Sequence, residues 1–244
     1  MPALPAVLLR NALAGAISYA GAFVWTRVVS RLSTSGALPA RLARKLSHIT
    51  TAPFFLLTWP LYAPGPAARW VAAVVPLSFA ARIARAPSRD AFASATARGS
   101  DLHSEAGGLM AYGLAVALIT ALGWRHEAAT YVAAAALACG DGAADVVGGA
   151  VGGPVIPLPA RDGRRKTVAG SVAFVAATVL GSLGMLRMAR AVGFGVAHVA
   201  KRELVKIAAL AAAVELAPVE DNLIVPLTAF FATRHVLSQR WWVF

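Results

Sequence analysis

The residues best equipped for chemistry lie between Gly140 and Gly153, in the run GDGAADVVGGAVGG. Asp141 and Asp145 stand four apart, so on a helix both project from one face, about one turn from each other. They close an apolar stretch that begins at Ala128. An acidic residue at the centre of a membrane-spanning helix costs roughly 2.5 to 3.5 kcal/mol on the insertion scale, and like charges one turn apart also repel. A divalent cation at the membrane boundary offsets both penalties, and oxygen ligands with no Cys or His beside them suit Mg²⁺. Glycines alone would point to plain helix packing, with the Asp pair meeting a neighbouring Arg. The paired carboxylates reverse that preference, because ionisable residues within spans are functional-site candidates by default. Gly140, Gly142, Gly148, Gly149, Gly152 and Gly153 remove side chains where a backbone must approach another helix or a phosphate.

A basic cluster follows in the loop Val151 to Thr167: Arg161, Arg164, Arg165 and Lys166, then Thr167 itself, with Gly170 and Ser171 opening the next apolar run. Four cations near two carboxylates suit a polyphosphate, and Gly170 and Ser171 offer backbone N–H groups at a helix N-terminus. There is no GxxxxGK[ST] pattern, which excludes a Walker A loop. Two further polar segments lie far off in sequence. One is Arg44, Lys45, Leu46, Ser47, His48; the other is ELAPVEDNLIVP, Glu215 to Pro226, with Glu215, Glu220, Asp221 and Asn222. An acidic cluster at a membrane boundary opposes the positive-inside trend and points to binding. His48 alone reads as an interfacial histidine satisfied by backbone, and Cys139 as a small buried apolar residue.

The elements that must position these groups are written in the composition. Of 244 residues, 58% are hydrophobic and 14% charged, and mean hydropathy is +0.65. Soluble domains carry about 25% charged residues. With 23 Lys and Arg against 11 Asp and Glu the chain is at +12, yet it has too little polar surface for a nucleic-acid-binding domain, so the partner of that charge is the membrane face. A single cysteine excludes an intramolecular disulfide framework and a Cys-based zinc site.

Apolar runs long enough to cross a bilayer extend over Pro5 to Val29, Ile49 to Ala63, Arg69 to Arg85, Gly107 to Trp124, Ala128 to Ala150, Val168 to Ala189, Val192 to Leu216 and Asn222 to Leu237. The expected fold is an all-α polytopic bundle of about seven or eight transmembrane helices, in one domain over 1–244. Lys201, Arg202, Glu203 and Lys206 break the seventh run, which allows an interfacial helix there. The loops Ser30 to His48, Ala86 to Ala106 and Val151 to Thr167 carry the basic residues and define an inside face. On this count the segment Glu215 to Asn222 returns to the same face, so all four polar segments share it. The N-terminal run contains Arg10 and Asn11 and exceeds a signal h-region, so it reads as a retained span. Its low serine content does not fit a plastid transit peptide.

In order and type, these blocks resemble the polyprenol kinase family that includes phytol and farnesol kinases. The resemblance runs from about Arg44 to the C-terminus. It rests on RKLSH (Arg44 to His48), PSRD (Pro87 to Asp90), GDGAADVVGG (Gly140 to Gly149), RKTVAGS (Arg165 to Ser171) and VELAPVEDNLIVPL (Val214 to Leu227). It implies transfer of a phosphoryl group to the hydroxyl of an isoprenoid alcohol, most readily phytol, with CTP or another nucleoside triphosphate as donor and Mg²⁺ as helper.

By the same resemblance Asp141, Asp145 and Glu215 hold the metal, and Asp141, Asp145 and Asp221 are catalytic, with Asp145 or Asp221 accepting the hydroxyl proton. Arg44, Lys45, Arg165, Lys166, Thr167, Gly170, Ser171 and Asn222 meet the nucleotide and its phosphates. Ala169 stands where phytol kinase-like members carry an acidic residue, and Gly149 near a usually basic position. A plastid membrane is the implied location, with product feeding tocopherol synthesis and phytol salvage. Farnesol or geranylgeraniol as acceptor, or cytidylyl transfer to a lipid phosphate, are the neighbouring readings. A small transporter using the Asp pair as an ion site is a third, which leaves the RKT and DNL blocks without a role.

Overall fold

The computed structural model describes residues 4–85, 90–96, 102–158 and 166–239, of which 102–105 are described as backbone only. Arg161, Arg164 and Arg165 of the expected phosphate cluster, and Pro87 to Arg89, lie outside the described residues. All regular elements among the described residues are helices: α1 (Leu4–Thr34), α2 (Ala40–Leu57), α3 (Ala68–Arg85), α4 (Ala91–Thr96), α5 (Leu102–Leu122), α6 (Ala128–Val151), α7 (Val168–Ala191), α8 (Lys201–Glu215) and α9 (Asp221–Gln239). Each of the eight expected runs contains a helix, and α4 is an additional short one. Among the described residues three helices, α1, α6 and α7, are long and apolar enough to cross a membrane.

Two starts differ from expectation. Helix α2 begins at Ala40, so Arg44 to His48 belong to the helix and do not precede it. Helix α8 begins at Lys201 and not at Val192, because 192–200 is held out of helix by Gly193, at φ +84°, a left-handed conformation that glycine adopts without strain. The Lys201 to Lys206 block therefore starts a helix where the apolar count had it interrupting one.

The chain divides into two compact units, 1–122 and 123–244. In the first, α1 packs on α2, α3 and α4, and α3 packs on α5. Gly113 of α5 allows this last approach: a Cβ there would lie 3.0 Å from both Ala80 Cβ and the Pro76 carbonyl oxygen. Helix α1 buries the uncharged polar side chains Asn11, Ser18, Thr26 and Ser30 and exposes Leu4, Leu8, Leu9, Leu13 and Ile17, with Arg10, Arg27 and Arg31 exposed toward its ends. That is the reverse of a water-facing helix, and it is the arrangement expected when the solvent on the outside is hydrocarbon. The buried polar groups are satisfied internally: Ser18 Oγ donates to Thr58 Oγ1 at 2.7 Å, and Asn11 Oδ1 accepts from the Ala63 amide at 2.9 Å.

In the second unit α6, α7, α8 and α9 alternate in direction, with α6 on α7 and α9, and α8 on α7 and α9. Tyr131, Leu137, Phe174, Leu186, Leu204 and Phe230 fill its centre. The seam between α6 and α7 is made of small residues. A Cβ on Gly170 would stand 3.0 Å from the Ala144 carbonyl oxygen and 3.5 Å from Gly148 Cα, and one on Gly181 would strike Cys139 Sγ at 2.7 Å. Glycine at these positions lets two backbones touch. Because the helices alternate, the described residues 152–158 and 166–167 and the turn 216–220 fall at one end of the unit.

Candidate functional site

Four elements of the second unit deliver side chains to that end. Helix α6 contains a five-residue π-helical stretch, Ala136–Gly140, closed by the Asp141 amide donating to the Ala136 carbonyl. Such a stretch inserts extra backbone into the helix, and π-turns of this kind concentrate at functional sites. Regular helix resumes at Asp141, whose carboxylate points to the ends of α8 and α9. Glu215 is the last residue of α8 and Asp221 the first of α9, joined by a tight turn in which the Leu216 and Ala217 amides donate back to Ala213 and Val214.

Lys166 comes from the connection 152–167. Its carbonyl accepts from the Ile156 amide at 2.9 Å, and the next residue, Thr167, bridges Val155 in an antiparallel pair. Thr167 then caps α7, its Oγ1 accepting from the Gly170 amide at 3.1 Å. This strap fixes where Lys166 leaves the backbone.

The result is one cluster. Carboxylate oxygens of Asp141, Glu215 and Asp221, one from each, lie within 4.8 Å of one another. Glu215 is 3% exposed, so its charge must be met inside the protein. Lys166 meets it: Nζ donates to Glu215 Oε1 and stands 3.8 Å from Asp221 Oδ2. Burial alone pulls the Lys166 ammonium down, but Glu215, then Asp221 and Asp141, outweigh it and hold the amine above its ordinary value. Burial first, and the neighbouring Asp141 second, raise the Asp221 carboxyl, with Lys166 opposing. Three carboxylates against one ammonium give the cluster a surplus of negative charge. Oxygen donors at this spacing are what a hard divalent cation draws together, with ligands at about 2.1 Å for Mg²⁺.

Beside the cluster, Asn222 donates its amide N–H to Asp221 Oδ1 at 2.9 Å and its Nδ2 to Glu220 Oε1 at 3.1 Å. Its own Oδ1 is buried with no hydrogen-bond partner, an acceptor available to a bound molecule.

The structure thus brings together Asp141, Lys166, Glu215, Asp221 and Asn222 from three distant segments. Asp145 lies one turn further along α6 and is not in the close carboxylate group, where Asp221 stands beside Asp141 and Glu215. The Thr167 hydroxyl and the Gly170 amide bond each other in the helix cap, and the Ser171 amide donates to the Thr167 carbonyl at 3.1 Å. Arg44 and Lys45 are on α2 in the first unit, Lys45 buried there, and His48 packs its ring edge against Tyr112 at 4.7 Å. Sequence reading missed the π-helical stretch, since ALACG carries no residue that demands it.

No protein-family model matches the chain, and no solved structure does. Curated proteins do. The chain is 31% identical over 243 residues to "Probable phytol kinase 1, chloroplastic" of Glycine max, covering 93% of this chain and 79% of that protein. It is 30% identical to "Probable phytol kinase 2, chloroplastic" of Oryza sativa subsp. japonica, over 88% of this chain and 72% of the relative. With "Phytol kinase 1, chloroplastic" of Arabidopsis thaliana identity is 27%, over 87% of this chain and 72% of the relative.

Proposed function

The chain belongs to the phytol kinase family, and from that premise we propose that it moves the terminal phosphoryl group of a nucleoside triphosphate, CTP first, onto the hydroxyl of phytol at a plastid membrane. The observation that carries this reading is the convergence of Asp141, Glu215 and Asp221 on Lys166 at one end of a helical unit two of whose helices are apolar enough to span a bilayer. A prenol is hydrocarbon with one hydroxyl. Its tail belongs in lipid and its hydroxyl at the headgroup boundary, which is where the ends of spanning helices place charged groups.

Phosphoryl transfer asks a protein mainly for positioning and for neutralising charge on the transferring group. Asp141, Glu215 and Asp221 would hold Mg²⁺, which when bound supplies positive charge to the triphosphate oxygens. Lys166 offsets the mutual repulsion of the three carboxylates, and the same ammonium is the described cation nearest to where phosphate oxygens would lie. Asn222 Oδ1 accepts a hydrogen bond from the nucleotide or its hydration. Asp221, beside the Lys166 ammonium at the edge of the cluster, is the first candidate acceptor for the prenol proton. Asp145 remains the second candidate for that role.

The test is incorporation of label by membranes expressing the chain, with phytol, farnesol or geranylgeraniol as acceptor and CTP, UTP or ATP as donor. Label from the γ-position on phytol supports the reading. Label retained from the α-position of CTP on a lipid phosphate means cytidylyl transfer, and no incorporation with any pair overturns kinase activity.

A further inference from the structure

The first unit holds a separate cavity of about 220 Å³ at the C-terminal turns of α1 and α3, lined chiefly by Phe23, Arg27, Ser30, Arg82, Asp90 and Phe92. Arg82 is fixed on three sides. Its Nε donates to Asp90 Oδ2 at 2.7 Å, and its guanidinium lies 4.5 Å from the Phe79 ring centroid and 5.7 Å from that of Phe23. The other oxygen of Asp90 is occupied as well, Oδ1 accepting from the amides of Phe92 and Ala93 at 3.0 Å each. Asp90 Oδ1 is thus filled and Oδ2 is turned to Nε, and among the described residues Arg82 Nη1 is left buried and without a hydrogen-bond partner. An unsatisfied buried donor on a charged group is among the more costly defects a fold can retain.

Arg27 reaches the same cavity from α1. It is exposed, and its guanidinium sits 5.1 Å from the Phe23 ring centroid. Thr26 and Ser30 complete the wall, each hydroxyl donating to a carbonyl of its own helix. Among the described residues, two guanidiniums and one carboxylate therefore line the cavity, and that carboxylate is already engaged by Arg82 and two backbone amides.

We propose that this cavity binds a phosphate-bearing anion through Arg82 and Arg27. A guanidinium fork matches phosphate oxygens in geometry, and Arg82 is pre-oriented by its ring and carboxylate contacts, so little ordering is needed on binding. The depth agrees. Helix α1 has 31 residues, roughly 46 Å of helix against a hydrocarbon core of about 30 Å, so its last turns, with Arg27, reach the headgroup level. Basic pockets among spanning helices at that level bind anionic lipid head groups. The phosphate comes either from such a head group or from a soluble phosphate. None of these residues belongs to the carboxylate cluster, so the anion site is independent of the kinase reading.

The experiment uses the full chain. In phosphatidylcholine nanodiscs with phosphatidic acid titrated in, native mass spectrometry reads which lipid is retained; inorganic phosphate is titrated separately as a competitor. Wild type is expected to retain phosphatidic acid about tenfold over phosphatidylcholine, Arg82→Gln to lose that preference, and Arg82→Lys not to restore it, because lysine lacks the fork. Arg27→Gln, at an exposed position that leaves folding intact, is expected to reduce the preference severalfold and so carries the test if Arg82→Gln misfolds. Displacement by inorganic phosphate identifies a soluble anion as the ligand, and resistance to it identifies a head group; both support the site. Equal retention of the two lipids by wild type, with no binding of inorganic phosphate, overturns the proposal, as does an unchanged preference in Arg27→Gln.

Discussion

Each unit of the molecule contains a buried ion pair, and the two differ in the charge that remains. At Lys166 one ammonium is surrounded by Asp141, Glu215 and Asp221, and the surplus is negative. At Asp90 one carboxylate is shared by Arg82 and the α4 amides, with Arg27 lining the same cavity, and among the described lining residues the surplus is positive. A matched pair in an apolar protein is structure; an unmatched one is an invitation to a ligand of the opposite sign. The acidic surplus calls for a divalent cation and the basic surplus for a phosphate.

The widest gap between the two regions should show in turnover. Asp141→Asn, Glu215→Gln and Asp221→Asn are each expected to lower transfer of γ-label to phytol by about 10²- to 10³-fold, the range seen when one preorganised charge is removed from a transfer site. Arg27→Gln should leave the rate of wild type nearly unchanged. Equal losses in both regions would break the comparison.

Next is removal of the metal. Chelation with EDTA should abolish turnover and lower the unfolding temperature of the solubilised wild type, since a ligand at a hundred times its Kd contributes about 2.7 kcal/mol to stability. The Asp141→Asn protein should show no such drop, and a matching drop there would place the metal elsewhere.

A smaller effect concerns pH. The folded-state pKa of Asp221 is raised, so without metal the stability this group contributes is fully present below its ordinary value of 3.8 and is lost as pH rises through the raised value. On the proposed reading, magnesium would bind the ionised form and reverse that loss. The difference in unfolding temperature with and without magnesium should therefore widen as pH rises from the ordinary carboxylate range, and Asp221→Asn should flatten it. The smallest change is Thr167→Ala. Losing the cap on Gly170 should cost about 1 kcal/mol of stability, read as a lower unfolding temperature.

Much of this was legible in the chain itself. Apolar runs located the helices, with the starts of α2 and α8 displaced, because an apolar solvent selects for apolar helical stretches. Asp141 stood out because a carboxylate inside an apolar run needs a reason. Its neighbours were harder to read. Asp145 is visible as a partner because four residues along a helix is a local relation, whereas Glu215 and Asp221 become partners of Asp141 only through the register of antiparallel helices. Thr167 and Gly170 look alike as phosphate ligands and as a helix cap, since both uses need an exposed hydroxyl and a free amide. Arg82 gave no sequence signal, because its significance lies in a buried Nη1 that finds no partner among the described residues.

The π-helical stretch before Asp141 also sets an angle. Each residue added to a helix turns the rest of that helix by about 100°, so the irregularity between Ala136 and Gly140 works as an angular offset between the two halves of α6. Residues on the N-terminal side can then pack on α7 and α9 in one orientation while the carboxylate beyond is aimed in another. Shortening that stretch by a single residue would keep every side chain of the cluster in the chain and rotate Asp141 away from Glu215.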